Sequence, residues 1–296
     1  MPKTCVLCGK HPASRKGEHT QPQWYLQPFH AILGEYTTYE GGEPARKPDG
    51  TPRPSQVSFP RTKLPVCDVD CNPRLNRRFE EPAKPIVRGL WGGRLSLTPS
   101  EADDFALWVL KTWLLTAHPR VEVSDPGWKA ALKRWDLGAL PKDIYGWTVT
   151  SQPPPDGLSV WATKTLGQDG SPTYRIPLPT IVADGRTTKF QVFAHGMDFL
   201  DAGFLDIELV YHPGWEIEHP LEADSRATRL WPRDLSAGLD IGALPPVSHR
   251  EVSWYEGPCL HFEPGAFQSV ARPPLSAATD PEFLLMPPGV WKVTRG

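Results

Sequence analysis

The chain has 296 residues, which is enough for one large domain or two modest ones. Its 35 prolines argue against long uninterrupted helices and coiled coils, and its 12 tryptophans and 11 phenylalanines argue against wholesale disorder. The net charge of −2 conceals an asymmetry: residues 1–94 carry 15 Lys and Arg against 9 Asp and Glu, whereas residues 95–296 carry 17 against 25. A basic unit joined to an acidic one is typical of a protein that binds a polyanion, although a solvated basic surface gives the same pattern.

The sequence predicts a cytoplasmic protein without membrane contact. No apolar run approaches the roughly 20 residues that a membrane span needs, and the first residues lack the pattern of a signal peptide. In the cytoplasm, the five cysteines are expected to be metal ligands or free thiols rather than disulfides.

The chain opens with a cysteine turn and a short extended segment. Cys5 and Cys8 flank a tight turn, and Glu18-His19 follows in an extended stretch. Residues 34–65 are rich in Gly and Pro, which predicts a hairpin or a long loop.

A helix is predicted directly after a second cysteine turn. Asn72 is expected to be its N-cap, and Pro73 suits the first helical position because its missing N–H would have no partner there. Pro82 and Pro85 are expected to end or kink this helix.

The clearest helix runs from Thr98 to about residue 117. Thr98 supplies a cap and Glu101 a carboxylate near the positive end of the helix dipole. Its largely apolar circumference predicts burial between an N-terminal and a C-terminal unit. A shorter helix is predicted over residues 126–136.

Strand-like runs dominate the rest of the chain and predict a mostly antiparallel sheet. They cover residues 147–150, 158–165, 174–182, 190–194, 204–211, 229–231, 252–255 and 259–262. The expected class is therefore α+β, with a small N-terminal unit (1–94), a helical connector (95–140) and a β-rich C-terminal domain (141–296).

Four of the cysteines fall into two short pairs that predict a structural zinc site. Cys5 and Cys8 are separated by two residues, and Cys67 and Cys71 by three. Two such pairs on separate loops supply four thiolates for a tetrahedral ion, which leaves no open position for catalysis. The alternative is four buried or free thiols.

Three further residues are expected near this site. Asn72 directly follows Cys71, and a strand carrying Glu18-His19 that faced the helix start would bring a carboxylate, an imidazole and an amide together. A hard divalent cation on the oxygen ligands and a neutral imidazole as proton acceptor are able to run phosphodiester hydrolysis. Chance occurrence of Glu-His, and capping by Asn72, are the alternatives.

The cysteine pairs, Glu18-His19 and Asn72 resemble the motifs of zinc-stapled HNH endonucleases. Glu-His-x-x-Pro-Gln-Trp from Glu18, Cys-Asn-x6-Phe-Glu-x-x-Ala-Lys-Pro from Cys71 and Trp-x-x-Lys-Thr from Trp108 are similar to a group of uncharacterised bacterial and phage HNH-like proteins. The resemblance covers residues 5 to about 117. It implies a ββα-metal (treble-clef) fold and a metal-dependent endonuclease.

The resemblance also implies roles for individual residues. His19 stands at the position of the general base, and Glu18 and Asn72 stand at positions that hold a catalytic Mg²⁺ or Mn²⁺. The last histidine of the family, one helical turn further on, is not matched. Asn76 and Glu80 lie near that position, and either is able to supply an oxygen ligand there.

Basic residues around the same unit are candidates for contact with nucleic acid, expected to be DNA. They would neutralise phosphates and position a duplex without reading its sequence. A solvated helix face is the alternative for those on the helix. The candidates are Arg15, Lys16, Arg74, Arg77 and Arg78.

Two functions therefore stay open. The first is an HNH-type endonuclease, and the second is a catalytically inert zinc module that binds nucleic acid or a protein. The C-terminal domain carries no motif with an assigned chemistry, and we expect it to bind a protein partner, restrain the nuclease, define its substrate or form a dimer.

Overall fold

The computed structural model describes residues 3–26, 35–37, 39–40, 43–44, 47–51, 54–56, 62–116, 118–123, 140–165, 174–183, 186–198, 204–219, 221–247, 260–263, 266–270 and 290–295. Its helices are α1 (Gln23–Leu26), α2 (Cys71–Leu75), α3 (Glu81–Trp91), α4 (Pro99–Thr116) and α5 (Lys142–Gly146). Its strands are β1 (Glu18–His19), β2 (Glu35–Thr37), β3 (Tyr39–Glu40), β4 (Glu43–Pro44), β5 (Pro54–Gln56), β6 (Thr62–Leu64), β7 (Ser96–Leu97), β8 (Glu122–Val123), β9 (Leu158–Thr165), β10 (Tyr174–Ala183), β11 (Arg186–Asp198), β12 (Phe204–Tyr211), β13 (Trp215–Glu218), β14 (Ala227–Trp231), β15 (Leu239–Asp240), β16 (Leu260–Glu263), β17 (Ala266–Val270) and β18 (Val290–Arg295). Helices and antiparallel strand pairs occur together, which confirms the expected α+β class.

The N-terminal part contains a small antiparallel sheet with the strand order β1-β6-β8. Glu18 pairs with Leu64, and His19 pairs with Lys63. Paired residues project from the same face of a sheet, and successive residues project from opposite faces. Leu64 is buried, whereas Lys63 is partly exposed. The sheet therefore has an inner face that carries Glu18 and an outer face that carries His19.

The helix after β6 begins two residues earlier than expected. Asp70 occupies the N-cap position of α2, and Asn72 lies inside the first turn. The prediction that Asn72 caps this helix is therefore wrong. The N–H of Asn72 donates to the carbonyl of Cys67 at 3.0 Å, so the second cysteine turn itself starts the helix.

The two prolines predicted to end or kink this helix do not stop it. A π-helical segment, Asn76–Glu80, joins α2 to α3, and the helical run reaches Trp91. Pro82 lies in the first turn of α3 and Pro85 inside it. Packing of α3 against α4 offsets the hydrogen bond that is lost at Pro85. The buried face of α3 consists of Ala83, Ile86, Val87 and Leu90.

The predicted long helix is confirmed as α4. The N–H of Thr98 donates to Glu101 at 3.0 Å, and the N–H of Glu101 donates back to Thr98 Oγ1 at 3.4 Å, which is the reciprocal pattern of a capping box. The helix contacts α3 as well as β12 and β14, so it is buried between the N-terminal unit and the C-terminal sheet as predicted. The buried core runs continuously from Cys5 to Ile241.

The prediction of a strand at residues 147–150 is wrong. Trp147–Val149 forms a 3₁₀ turn that continues α5. The hydroxyl of Thr148 donates to the carbonyl of Tyr145 at 2.8 Å, and the N–H of Thr150 donates to the carbonyl of Trp147 at 3.0 Å. These local bonds hold a helical turn in place of an extended backbone.

The C-terminal part contains a five-stranded antiparallel sheet, β10-β11-β12-β9-β14, and a four-stranded one, β13-β18-β17-β16. The strands predicted over 158–165, 174–182, 190–194, 204–211 and 229–231 are confirmed. The predicted helix over 126–136 and the predicted strand over 252–255 lie outside the described residues. The division into three parts stays a prediction. None of the described helices has the length and apolar character that a membrane crossing requires.

Candidate metal centre and active site

The four paired cysteines come together at one point. Their sulfur atoms all lie within 4.8 Å of one another, and Cys8 Sγ is 4.0 Å from Cys67 Sγ. A tetrahedral zinc ion with bonds of about 2.3 Å to sulfur separates its ligands by about 3.8 Å. The observed spacing therefore suits a four-thiolate zinc ion. Among the described residues, this is the only group of three or more Cys, His, Asp or Glu side chains gathered at that distance.

The two cysteine turns are joined to each other by main-chain hydrogen bonds. Gly9 has a positive φ of 66° and donates to the carbonyl of Cys5, which closes the first turn. The N–H of Val6 donates to the carbonyl of Pro65 at 3.0 Å. The N–H of Cys71 points at Cys67 Sγ from 3.4 Å, the kind of contact that stabilises a sulfur ligand.

The thiols of the cluster do not ionise alike. Burial opposes ionisation of Cys8, but hydrogen bonds from the backbone of Lys10 and His11 outweigh it and lower the pKa of Cys8 to about 6. Burial raises the pKa of Cys5, and burial together with the neighbouring sulfur atoms raises the pKa of Cys71 well above its usual value. Four thiolates at this spacing repel one another, so their joint ionisation needs a cation between them.

Glu18 lies at the inner face of the sheet, in acidic surroundings. Burial, with a further contribution from the nearby carboxylates of Glu80 and Asp68, raises the pKa of Glu18 to about 7, and the ammonium of Lys111 acts in the opposite direction. A carboxyl group that titrates near neutral pH because of burial and specific charges is a frequent property of functional sites. The structure thus brings two of the predicted metal ligands, Glu18 and Glu80, into electrostatic contact.

Glu80 is held by two side chains from other elements. Its Oε1 atom accepts a hydrogen bond from Lys111 Nζ at 3.1 Å, and its Oε2 atom accepts one from Trp24 Nε1 at 3.2 Å. Both partners of the ion pair are buried, with side-chain exposures of 1% for Lys111 and 9% for Glu80. Both carboxylate oxygens of Glu80 are therefore engaged by groups of the protein.

The side chains of His19 and Asn72 are oriented differently with respect to Glu18. His19 projects from the outer face of β1, opposite to Glu18, and its Nε2 atom is shielded from solvent. The side-chain amide of Asn72 donates to Asp68 Oδ1 at 3.5 Å. Asp68 therefore connects Asn72 to Glu18, whereas the alternation along β1 turns the imidazole to the other face.

Asn76 is engaged away from this cluster. Its side-chain amide donates to Glu81 Oε1 at 2.8 Å. At the position where the family has its last histidine, neither Asn76 nor Glu80 is therefore available as a metal ligand. Asn76 is bound to Glu81, and Glu80 is bound to Lys111.

The predicted nucleic-acid contacts differ in how their side chains are used. Arg74 donates to Asp70 and to the carbonyl of Val149, and Arg78 donates to the carbonyls of Trp147, Thr150 and Gln152. Burial lowers the pKa of Arg78. These bonds give Arg74 and Arg78 a structural task. Arg74 is exposed despite these bonds, and Arg15, Lys16 and Arg77 are exposed as well.

Sequence reasoning missed Lys111 and Asp68. The signal for Lys111 is present in the sequence, because it is the sole charged residue between Phe105 and Thr116 in an apolar helix. A buried lysine is expected to have a charged partner. Asp68 stands inside the second cysteine turn and gave no separate signal.

A second polar cluster lies in the C-terminal part. Ser159 Oγ is 2.8 Å from His212 Nε2, and His219 Nε2 is 3.0 Å from Glu208 Oε2. Burial lowers the pKa of His212. All four side chains are almost completely buried, so they hold the segment after β12 on the sheet rather than face a substrate.

Comparison of the chain with protein-family models, with curated proteins and with solved structures finds no match.

Proposed function

We propose that this chain is a metal-dependent endonuclease of the HNH type, built on a zinc-stapled treble clef. The observation that carries the proposal is the position of Asp68. It lies between the two cysteines of the second turn, interacts electrostatically with Glu18 on β1 and accepts a hydrogen bond from Asn72 on α2. In the proposal, β1 and β6 supply the two strands and α2 the helix of the ββα unit.

The oxygen atoms near Asp68 are of the kind that Mg²⁺ and Mn²⁺ prefer, namely carboxylates and an amide. In the proposal, Glu18 and Asn72 hold the catalytic ion, with Asp68 as an additional ligand. Such an ion, when bound, stabilises negative charge on a scissile phosphate. Glu80 keeps its bonds to Lys111 and Trp24 and fixes the inner wall of the site.

His19 is proposed to accept the proton of the attacking water. An imidazole titrates near neutral pH, so its neutral form is available as a base. Thr20 follows it directly and is tied into the core, because Thr116 Oγ1 donates to Thr20 Oγ1 at 3.0 Å. This bond fixes the end of β1 and with it the backbone of His19.

A second candidate function is a catalytically inert zinc module that binds nucleic acid or a protein. Two observations favour it. Lys111 already places a buried cation in the acidic cluster, and Glu18 and His19 project from opposite faces of β1. Catalysis requires that both residues reach one phosphate, whereas binding does not.

A plasmid-nicking assay separates the two functions. The full chain is incubated with supercoiled plasmid and Mg²⁺ or Mn²⁺, and the wild type is compared with His19→Ala. Loss of a general base typically lowers the rate by about 10²–10⁴-fold, so we expect nicking by the wild type and almost none by His19→Ala.

His11→Ala is the matched control, because His11 lies beside the first cysteine turn and contributes its backbone rather than its ring to the cluster. Zinc content measured for all three proteins shows that the fold is retained. Equal nicking by wild type and His19→Ala would contradict the proposal. Absence of nicking with DNA binding intact would favour the inert module.

A further inference from the structure

A cleft of about 700 Å³ lies beside the cysteine cluster, and its lining is dominated by cations. Lys3, Arg15, Lys16 and Lys63 line it, together with the single carboxylate of Glu122. Lys3 forms an ion pair with Glu122, which leaves three positive charges in excess.

The cleft lies over the outer face of the small sheet. Lys63 pairs with His19 on one side and with Glu122 on the other, so the three side chains form a row across β1, β6 and β8. The proposed catalytic base therefore stands at the end of a row whose other two members line the cleft.

The walls of the cleft are fixed by the backbone. The N–H of Ala13 donates to the carbonyl of Lys3 at 2.7 Å, and the N–H of Ser14 donates to the carbonyl of Val66 at 2.8 Å. Gly17 then turns the chain with a φ of 66°, and a Cβ at that position would meet the carbonyl oxygen of Leu64 at 3.0 Å. Arg15 and Lys16 are thus presented from a short braced segment rather than from a loose loop.

We propose that this cleft binds the sugar–phosphate backbone of a nucleic acid. Its residues offer ammonium and guanidinium donors, which neutralise phosphates without reading bases. The inference rests on the proposed function, because it places the bound strand on the face of the sheet that carries His19. It adds Lys3 and Lys63 to the contacts and assigns no contact to Arg74 or Arg78, because neither of them lines the cleft.

Binding of a short fluorescein-labelled DNA duplex, measured by fluorescence anisotropy without divalent cations, tests the cleft separately from cleavage. In Arg15→Ala/Lys16→Ala we expect roughly tenfold weaker binding and a loss of about 1 to 2 from the slope of log K against log salt concentration. Lys63→Ala is expected to weaken binding in the same direction.

Glu122→Gln makes the test robust against folding defects. It removes the one carboxylate of the cleft and releases Lys3, so we expect tighter binding, which a damaged fold does not produce. Arg120→Ala is the matched control for lost charge, because Arg120 is exposed and does not line the cleft.

The inference would be overturned if Arg15→Ala/Lys16→Ala and Lys63→Ala both bound the duplex with the affinity and the salt dependence of the wild type. Binding to phosphatidylserine vesicles but not to the duplex would overturn it as well, in favour of a membrane surface. Failure of the proposed function looks different: the duplex binds and the cleft variants weaken it, but His19→Ala does not change nicking.

Discussion

At the scale of single residues, the inner face of the small sheet holds more charge than a protein interior usually tolerates. Glu18 and Glu80 bring two carboxylates close together, and Lys111 supplies one buried ammonium. One cation compensates one carboxylate, and Glu80 holds it directly. Glu18 therefore retains its proton to a higher pH than an exposed glutamate. A divalent cation at Glu18 would reverse this preference, which is the electrostatic basis for a metal ligand there.

Replacing Glu18 by Gln is expected to remove a pH-dependent loss of stability. The pKa of Glu18 rises from 4.5 to about 7 on folding. Between these two values the native state binds more protons than the unfolded state, so the free energy of unfolding of the wild type falls as pH rises. Without divalent cations, Glu18→Gln should be more stable than the wild type by about 1–3 kcal/mol at pH 8, with the difference vanishing near pH 4.

Urea denaturation of both proteins across this pH range measures the effect. Glu101→Gln is a control of opposite sign, because Arg94 and the backbone of Thr98 lower the pKa of Glu101 in the folded state. That variant should lose stability relative to the wild type as pH rises from acidic to neutral. A stability difference for Glu18→Gln that stays constant with pH would contradict the interpretation of Glu18.

At the scale of elements, the junction between the helical run and the turn after α5 depends on one arginine. The guanidinium of Arg78 donates to three carbonyls of residues 147–152 and lies 4.9 Å from the ring centroids of both Phe79 and Trp147. Arg78 thereby supplies hydrogen-bond donors to the carbonyls of a turn that belongs to no sheet.

Arg78→Ala is expected to lower the free energy of unfolding by about 2–3 kcal/mol, because it leaves several carbonyls without their charged donor. The neighbouring Arg77 is exposed and provides the matched control, since Arg77→Ala should change stability by less than about 0.5 kcal/mol. Thermal or urea unfolding compares the two. Equal stability of the two variants would show that the junction does not depend on Arg78.

The same elements show what the sequence was able to predict. The capping residues of α4 and its apolar surface are local signals, and they predicted its bounds and its burial. The cysteine pairs predicted the cluster, because their short spacings are a direct requirement of metal geometry. Both predictions depend on residues close together in the chain.

The features that the sequence did not predict depend on contacts between residues that are far apart in the chain. The helical run passes Pro82 and Pro85 because α3 packs on α4. The turn at residues 147–149 has local hydrogen bonds, but Arg78 also binds the carbonyl of Trp147 from a distant part of the chain. Opposite faces for Glu18 and His19 follow from the alternation along a strand, but which of the two faces the core depends on the pairing of β1 with β6. Lys111 enters the site from a helix some ninety residues beyond Glu18 in the chain, so its role required the tertiary structure.

At the scale of the whole molecule, the cysteine cluster joins the start of the chain to the start of the helical run. Before residue 18 the described chain contains no helix and no strand, so the order of its first part depends on the cysteine turns and on contacts with the segment around Cys67, whereas Trp24 and Tyr25 pack on Trp91 and Trp108. The same contacts form the walls of the basic cleft, and the helical run that starts at Cys71 leads into the core around α4. Loss of a zinc ion bound there should therefore affect the cleft, the strand that carries Glu18 and His19, and the N-terminal part of the core together.

Zinc is expected to be a folding requirement for this unit, with one tightly held ion per chain. Structural zinc contributes roughly 10–16 kcal/mol in small zinc-binding peptides, so its removal by a chelator should unfold the N-terminal part and abolish DNA binding. Elemental analysis of Cys67→Ser should show loss of the zinc, and thermal unfolding should show a strongly lowered melting temperature. Cys259→Ser is the matched control, because the fifth cysteine belongs to neither pair and its loss should leave the zinc content unchanged. A full complement of zinc in Cys67→Ser, or an unchanged melting curve after chelation, would show that the four sulfur atoms are not what holds this part of the molecule together.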